Sequence, residues 1–193
     1  MKQILNELDK TSVLLQQHFD TYSSNISLSH FDFFCCVSSY KHLQLVKGFS
    51  LLIRQNNYPS AVPVFLEHVN LCLQIYASTL IKYDLDLFAK KMINNNKLNY
   101  MKDSYGKSMK KKYLLYRLSL YSGYSWLNDL FANEFNFICC PTFKVHDSLN
   151  MDYYNLVGNS FSDELVFIEL SIKFNQISNL ILDIIKLTNK NNN

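Results

Sequence analysis

Between Arg54 and Glu67 the chain reads Arg54-Gln-Asn-Asn-Tyr58-Pro59-Ser60-Ala61-Val-Pro63-Val-Phe-Leu66-Glu67. Asn56 and Asn57 are turn formers. Pro59 suits the first turn of a helix, where its missing N–H has no bond to lose. Apolar runs of helical length flank the block on both sides. One long helix therefore ends here, the chain reverses, and a second helix begins. A connection this short lays its two helices antiparallel, which constrains the chain to a helical bundle. Pro63 either still lies in the first turn of the second helix or kinks it.

The rest of the chain extends this pattern. Ile4, Leu8, Leu15, Phe19 and Tyr22 recur at helical spacing and predict a first helix over about 2–23. Ser23-Ser24-Asn25 ends it, and Ser27 or Ser29 is placed to cap the next. From His30 to Arg54 the residues are apolar nearly all round, including Phe33, Phe34, Val37, Tyr40, Leu43, Val46 and Phe49, as in a central, largely buried helix. Gly48 is read as a point of close helix packing. A third helix runs to about Lys82 with Val64, Leu71, Ile75 and Tyr76 inward, and a short fourth covers Asp84 to Ile93. From Asn94 the chain turns polar, with a strand pair expected around Leu98 and Tyr100 and a turn at Asp103-Ser-Tyr-Gly106. A fifth helix is expected over 108–121 and a sixth over 125–135, with Ser125 as cap and Trp126 and Leu130 inward. Residues 138–159 read as irregular. Ser160 and Asp163 have capping-box spacing and open a seventh helix that runs to about Leu187.

The 193 residues include only 4 Gly and 3 Pro, too few for a turn-rich β-sandwich. The fold expected is all-α: a single-domain antiparallel bundle of about six or seven helices over 1–188, with a polar, Lys-rich excursion near residues 94–107 and a disordered tail at 189–193. No apolar run reaches the roughly 18 residues that a membrane span needs, and the N-terminus lacks the apolar core of a signal peptide. The 5 cysteines, Cys35-Cys36, Cys72 and Cys139-Cys140, form no CxxC motif. They read as reduced, mostly buried thiols of a cytoplasmic protein.

Charge is nearly balanced, with Lys+Arg 19 against Asp+Glu 16, so the total predicts neither a nucleic-acid nor a membrane partner. Its distribution is more informative. Lys107, Lys110, Lys111, Lys112 and Arg117 cluster, with Lys90, Lys91, Lys97 and Lys102 nearby, while 147–169 carries only acidic charges. Lysines that contact phosphates, with Tyr100, Tyr105, Tyr113 or Tyr116 stacking on bases, would make this a nucleic-acid site. The plain alternative is a solvated helix start docked on an acidic surface. Arg54 and Arg117 are the only arginines, so polyanion binding would use point charges more than bidentate forks.

Other constellations carry less. Cys139, Cys140 and His146 have zinc-ligand chemistry but no fourth ligand at a recognisable spacing, so neither metal nor cofactor is expected. The same segment could supply a Cys–His nucleophile, with His146 the one acid/base candidate. Glu67 is expected either to pair with Arg54 across the turn or, with Tyr76, to line a small-ligand pocket inside the bundle. His18, His30 and His42 read as ordinary surface or core histidines.

The segment from Asn57 through Pro63, Leu66, Asn70 and Gln74 to Ala77 resembles a stretch of uncharacterised bacterial all-helical proteins of the HEPN-like type (higher eukaryote and prokaryote nucleotide-binding domains). The block Lys102-Asp103-Ser-Tyr-Gly106-Lys-Ser-Met109-Lys-Lys-Lys112-Tyr113-Leu114 is similar to a second block of the same proteins. With the flanking helices, the resemblance covers roughly residues 30–185. It implies a helical bundle and a phage-defence or toxin–antitoxin setting. Where such proteins would carry Arg, Asp and Arg on the third helix, this chain has Leu66, Asn70 and Gln74. Where they carry a His-centred motif after the sixth helix, it has Cys139 and Pro141, with His146 displaced. The ribonucleases of the group use an Arg followed closely by a polar residue and His, and neither Arg54 nor Arg117 is so followed.

Two functions are therefore expected. The first is a non-enzymatic or catalytically degenerate interaction module that binds another protein or a second copy of itself. The alternative is an RNA-binding protein or HEPN-like ribonuclease that uses the Lys-rich patch.

Overall fold

The computed structural model describes residues 2–23, 28–82, 84–94, 96–128 and 160–190. The elements follow in chain order as α1 (Lys2–Ser23), α2 (His30–Arg54), α3 (Tyr58–Thr79), α4 (Leu85–Ile93), a 3-10 turn at Leu98–Tyr100, α5 (Lys111–Ser119) and α6 (Ser160–Lys190). The architecture is the all-α bundle expected.

Four long helices form a ring: α1 packs on α2, α2 on α3, α3 on α6, and α6 returns to α1. α4 lies against α2, and α5 against α3. The core runs down the ring axis. Phe49 of α2 and Phe174 of α6 are fully buried and stack with centroids 3.9 Å apart, and Leu8, Leu15, Leu43 and Leu71 close around them. Burying one such side chain contributes about 1.5–3 kcal/mol. No described helix is long and apolar enough to cross a membrane.

Local chemistry sets the boundaries. Ser29 caps α2 through a capping box: its hydroxyl accepts from the Asp32 amide at 3.0 Å, and the Asp32 carboxylate accepts from the Ser29 amide. After α2, Asn56 takes a left-handed conformation at φ 53°, and Asn57 caps α3 by accepting from the Ser60 amide. Pro63 lies inside α3, six residues beyond the cap, with its own side chain exposed. At the start of α4, Asp84 accepts from the Leu87 amide.

Several expectations are corrected. Helix α3 ends at Thr79 and α5 spans Lys111–Ser119, both shorter than expected. Leu98–Tyr100 is a 3-10 turn, and the only β-pairing among the described residues is a single antiparallel bridge between Lys102 and Ser108. Gly48 is not a packing point, since a Cβ there would meet nothing within 4 Å. Helical backbone resumes at 126–128. The last helix runs to Lys190, so Asn189 and Lys190 are helical and not part of a disordered tail. The remainder of the expected sixth helix with Leu130, the irregular stretch 138–159, the side chains of the Ser160–Asp163 cap and residues 191–193 lie outside the described residues.

Candidate nucleic-acid interface

The polar excursion is a pinned loop. Met101 and Met109 are buried, and the Met109 amide donates to the Met101 carbonyl at 2.9 Å. Between them the chain bulges outward through Lys102, Tyr105, Gly106 and Lys107, all exposed. Gly106 permits the turn at φ +77°, a conformation other residues rarely adopt. Asp103 is the anchor. Its buried carboxylate accepts from the Tyr105 amide at 2.9 Å, the Lys107 amide at 2.8 Å and the Tyr113 hydroxyl at 2.5 Å. Burial alone would raise the Asp103 carboxyl, but the Tyr113 hydroxyl and the two amides hold it below the usual carboxylate range. The Ser104 amide donates to the Leu80 carbonyl, tying the loop to the end of α3.

This loop assembles a ladder of cations and rings. The Lys82 ammonium lies 5.4 Å from the Tyr105 ring centroid. The Lys107 ammonium and the Arg117 guanidinium each lie 5.9 Å from the Tyr113 ring centroid. Arg117 also donates to the Tyr113 hydroxyl at 3.1 Å. Lys110 is the N-cap of α5, where no side chain caps the helix and no acid lies in the first turn. Lys111 and Lys112 follow, so three lysines crowd the positive end of the helix dipole, which disfavours them there. Around them stand exposed tyrosines: Tyr100 at 84%, Tyr105 at 69%, Tyr121 at 54% and Tyr116 at 53%.

Residues 82–117 hold ten cationic side chains and three carboxylates, whereas the rest of the chain holds nine and thirteen. Each of the three carboxylates is engaged within the fold. Asp84 caps α4, Asp86 accepts from the Phe31 amide and pairs with His30 at 2.9 Å, and Asp103 pins the loop.

The other sequence candidates are dispersed. Glu67 does not pair with Arg54. It accepts from Lys41 of α2 and from Asn70, which outweigh burial and lower its pKa. Lys111 adds to that effect from α5. Arg54 instead makes a two-pronged pair with Asp9 of α1, at 2.7 and 2.9 Å. Tyr76 is buried and meets Tyr121 edge-on at 6.2 Å, with burial, then Tyr121, raising its phenol pKa. Glu67 and Tyr76, nine residues apart on one helix, fall on opposite sides of α3. Cys35, Cys36 and Cys72 are free, buried thiols, and burial pushes Cys35 and Cys72 up to about 12. Cys139, Cys140 and His146 lie outside the described residues, as does the side chain of His18. Among the described residues no group of three or more His, Cys, Asp and Glu could hold a metal.

One polar pair escaped sequence reading. His42 of α2 and His68 of α3 are fully buried with ring centroids 4.8 Å apart, and His68 stacks on Phe174 at 4.0 Å. Ser178 Oγ lies 3.4 Å from His68 Nε2, while both His42 nitrogens and His68 Nδ1 have no partner among the described residues. Burial pushes His42 down to about 3. It also drives His68 well below the imidazole range, with His42 adding to the effect. Both rings are neutral near pH 7 and closed off from substrate. The available signal was their flanking residues: Ser39, Leu43 and Val46 around His42, and Phe65, Leu71 and Cys72 around His68, all on buried faces.

No family model, no curated protein and no solved structure matches this chain.

Proposed function

We propose that this chain is a non-enzymatic helical module that binds RNA through the basic, tyrosine-rich face formed by the 96–110 loop and α5. The observation that carries the reading is the Lys82–Tyr105 and Lys107–Tyr113–Arg117 ladder, fixed in place by Asp103. Lysines supply phosphate contacts, and exposed rings supply sequence-tolerant stacking. The likeness of 57–77 and 102–114 to HEPN-like proteins, a nucleotide-binding group, agrees with it. The non-enzymatic part is supported by the buried, neutral state of His42 and His68 and by the engagement of Glu67 with Lys41.

The test is fluorescence anisotropy of a labelled RNA across a salt series. Affinity is expected to fall steeply with salt, and the K107E/K110E/K112E variant is expected to lose at least about tenfold at unchanged melting temperature. Undiminished affinity in that variant would contradict the reading.

A second reading is self-association through α2. Phe33, Val37 and Tyr40 are each nearly half exposed and stand at i, i+4 and i+7, a stripe that a second copy could cover with the same stripe. Light scattering of the wild type and of V37E distinguishes them: a dimer that V37E converts to monomer supports this reading, and a wild-type monomer removes it.

A further inference from the structure

Resting on the nucleic-acid reading of this face, we infer that its ligand is a single strand and that Tyr105 is the platform on which an unpaired base stacks, with Asp103 as its positioning residue. An aromatic side chain 69% exposed at a loop tip leaves apolar surface in water. A ring so placed has a face that an incoming base can cover.

The loop presents that ring in a fixed place. The Tyr105 amide is held by Asp103 Oδ1, the preceding Ser104 amide by Leu80, and the Gly106 amide by the Asp103 carbonyl at 3.0 Å. A platform already ordered in the free protein has less conformational entropy to lose when the base arrives. Lys82 stands over the ring, and Lys107 follows two residues later in the same loop. Cations beside the stacking ring are placed for the phosphates that flank a stacked base, the combination that single-strand grooves use. Paired bases inside a duplex keep their faces stacked on each other, so a duplex can use the lysines but not the ring. Unpaired bases on a phosphodiester backbone are common to RNA and DNA strands.

The experiment measures anisotropy with three 12-nucleotide probes of one sequence: an RNA strand, a DNA strand and the RNA duplex. Wild type, Y105A, Y105W and K107E/K110E/K112E are compared. Y105A is expected to weaken the strands roughly fivefold to a hundredfold, the loss typical of one stacking platform, and to leave the duplex unchanged. Y105W is expected to retain strand affinity, because stacking needs a ring and not the hydroxyl. Either equal binding of RNA and DNA strands or a preference for RNA upholds the platform and decides the sugar. If the lysine reversal removes binding while Y105A does not, or if the duplex binds as tightly as the strands, the single-strand inference falls and the nucleic-acid reading stands. If the lysine reversal has no effect, both fall.

Discussion

Asp103 and the His42–His68 pair are both polar and both buried, yet they solve burial in opposite ways. Asp103 keeps its charge because the loop gives it two amides and a phenol. The histidines give up their charge, because among the described residues they meet one hydroxyl at 3.4 Å, their other ring nitrogens have no partner, and His68 stacks on Phe174. A carboxylate with enough donors becomes an anchor, and here it stiffens the most basic part of the surface. An imidazole with few partners becomes a neutral core residue and a latent acid weakness.

The largest expected effect separates the two by pH. The folded state keeps His42 neutral down to about pH 3, whereas an unfolded imidazole takes up a proton below about pH 6.5. Stability is therefore complete above about 6.5 and declines as pH falls from there toward 3. At pH 5, His42 alone should cost the fold about 2 kcal/mol, with His68 acting in the same direction. The lowered carboxylates of Asp103, Asp86 and Glu67 lose their contribution only at lower pH, so urea midpoints between pH 7 and 5 isolate the histidines. A flat midpoint over that window would break the comparison.

Next in size is D103A. It leaves two loop amides and the Tyr113 hydroxyl without their acceptor, at about 1–3 kcal/mol. The expected readout is loss of hydrogen-exchange protection at 103–113 with α1–α3 unchanged. H42L should then do the reverse of D103A. Replacing an unpartnered ring by an apolar side chain should leave stability at pH 7 within about 1 kcal/mol and flatten the decline toward pH 5. The smallest effect is expected for R54Q, which removes an exposed pair with Asp9 and should cost under about 1 kcal/mol.

Much of the fold was legible because local chemistry decided it. A serine cap at Ser27 or Ser29, the Asn56-Asn57 turn before Pro59, and the i, i+3, i+4 apolar stripes set α1, α2 and α4 nearly to the residue, while α3 ends three residues before the expected Lys82. The turn at Asp103-Ser-Tyr-Gly106 was legible as well, since Asp and Gly there have only a few roles. What the sequence concealed depended on how helices meet. Glu67 was matched to Arg54 across a turn, yet the ring of helices brings Lys41 to Glu67 and Asp9 to Arg54. The two histidines lie on different helices, and only the α2–α3 packing makes them neighbours. The candidate site was half visible: its lysines stood out in sequence, while Lys82 over Tyr105 and the Tyr113 hydroxyl on Asp103 are tertiary facts.

The central claim, that the basic tyrosine-rich face carries the nucleic-acid contact, is tested most directly by backbone-amide NMR during titration with an unlabelled 12-nucleotide RNA strand. The account predicts shifts concentrated at Lys82 and residues 98–117, with the amides of Phe33, Val37 and Tyr40 unmoved. Shifts that gather on α1 and α2 instead, or a spectrum that does not change at saturating RNA, would contradict it.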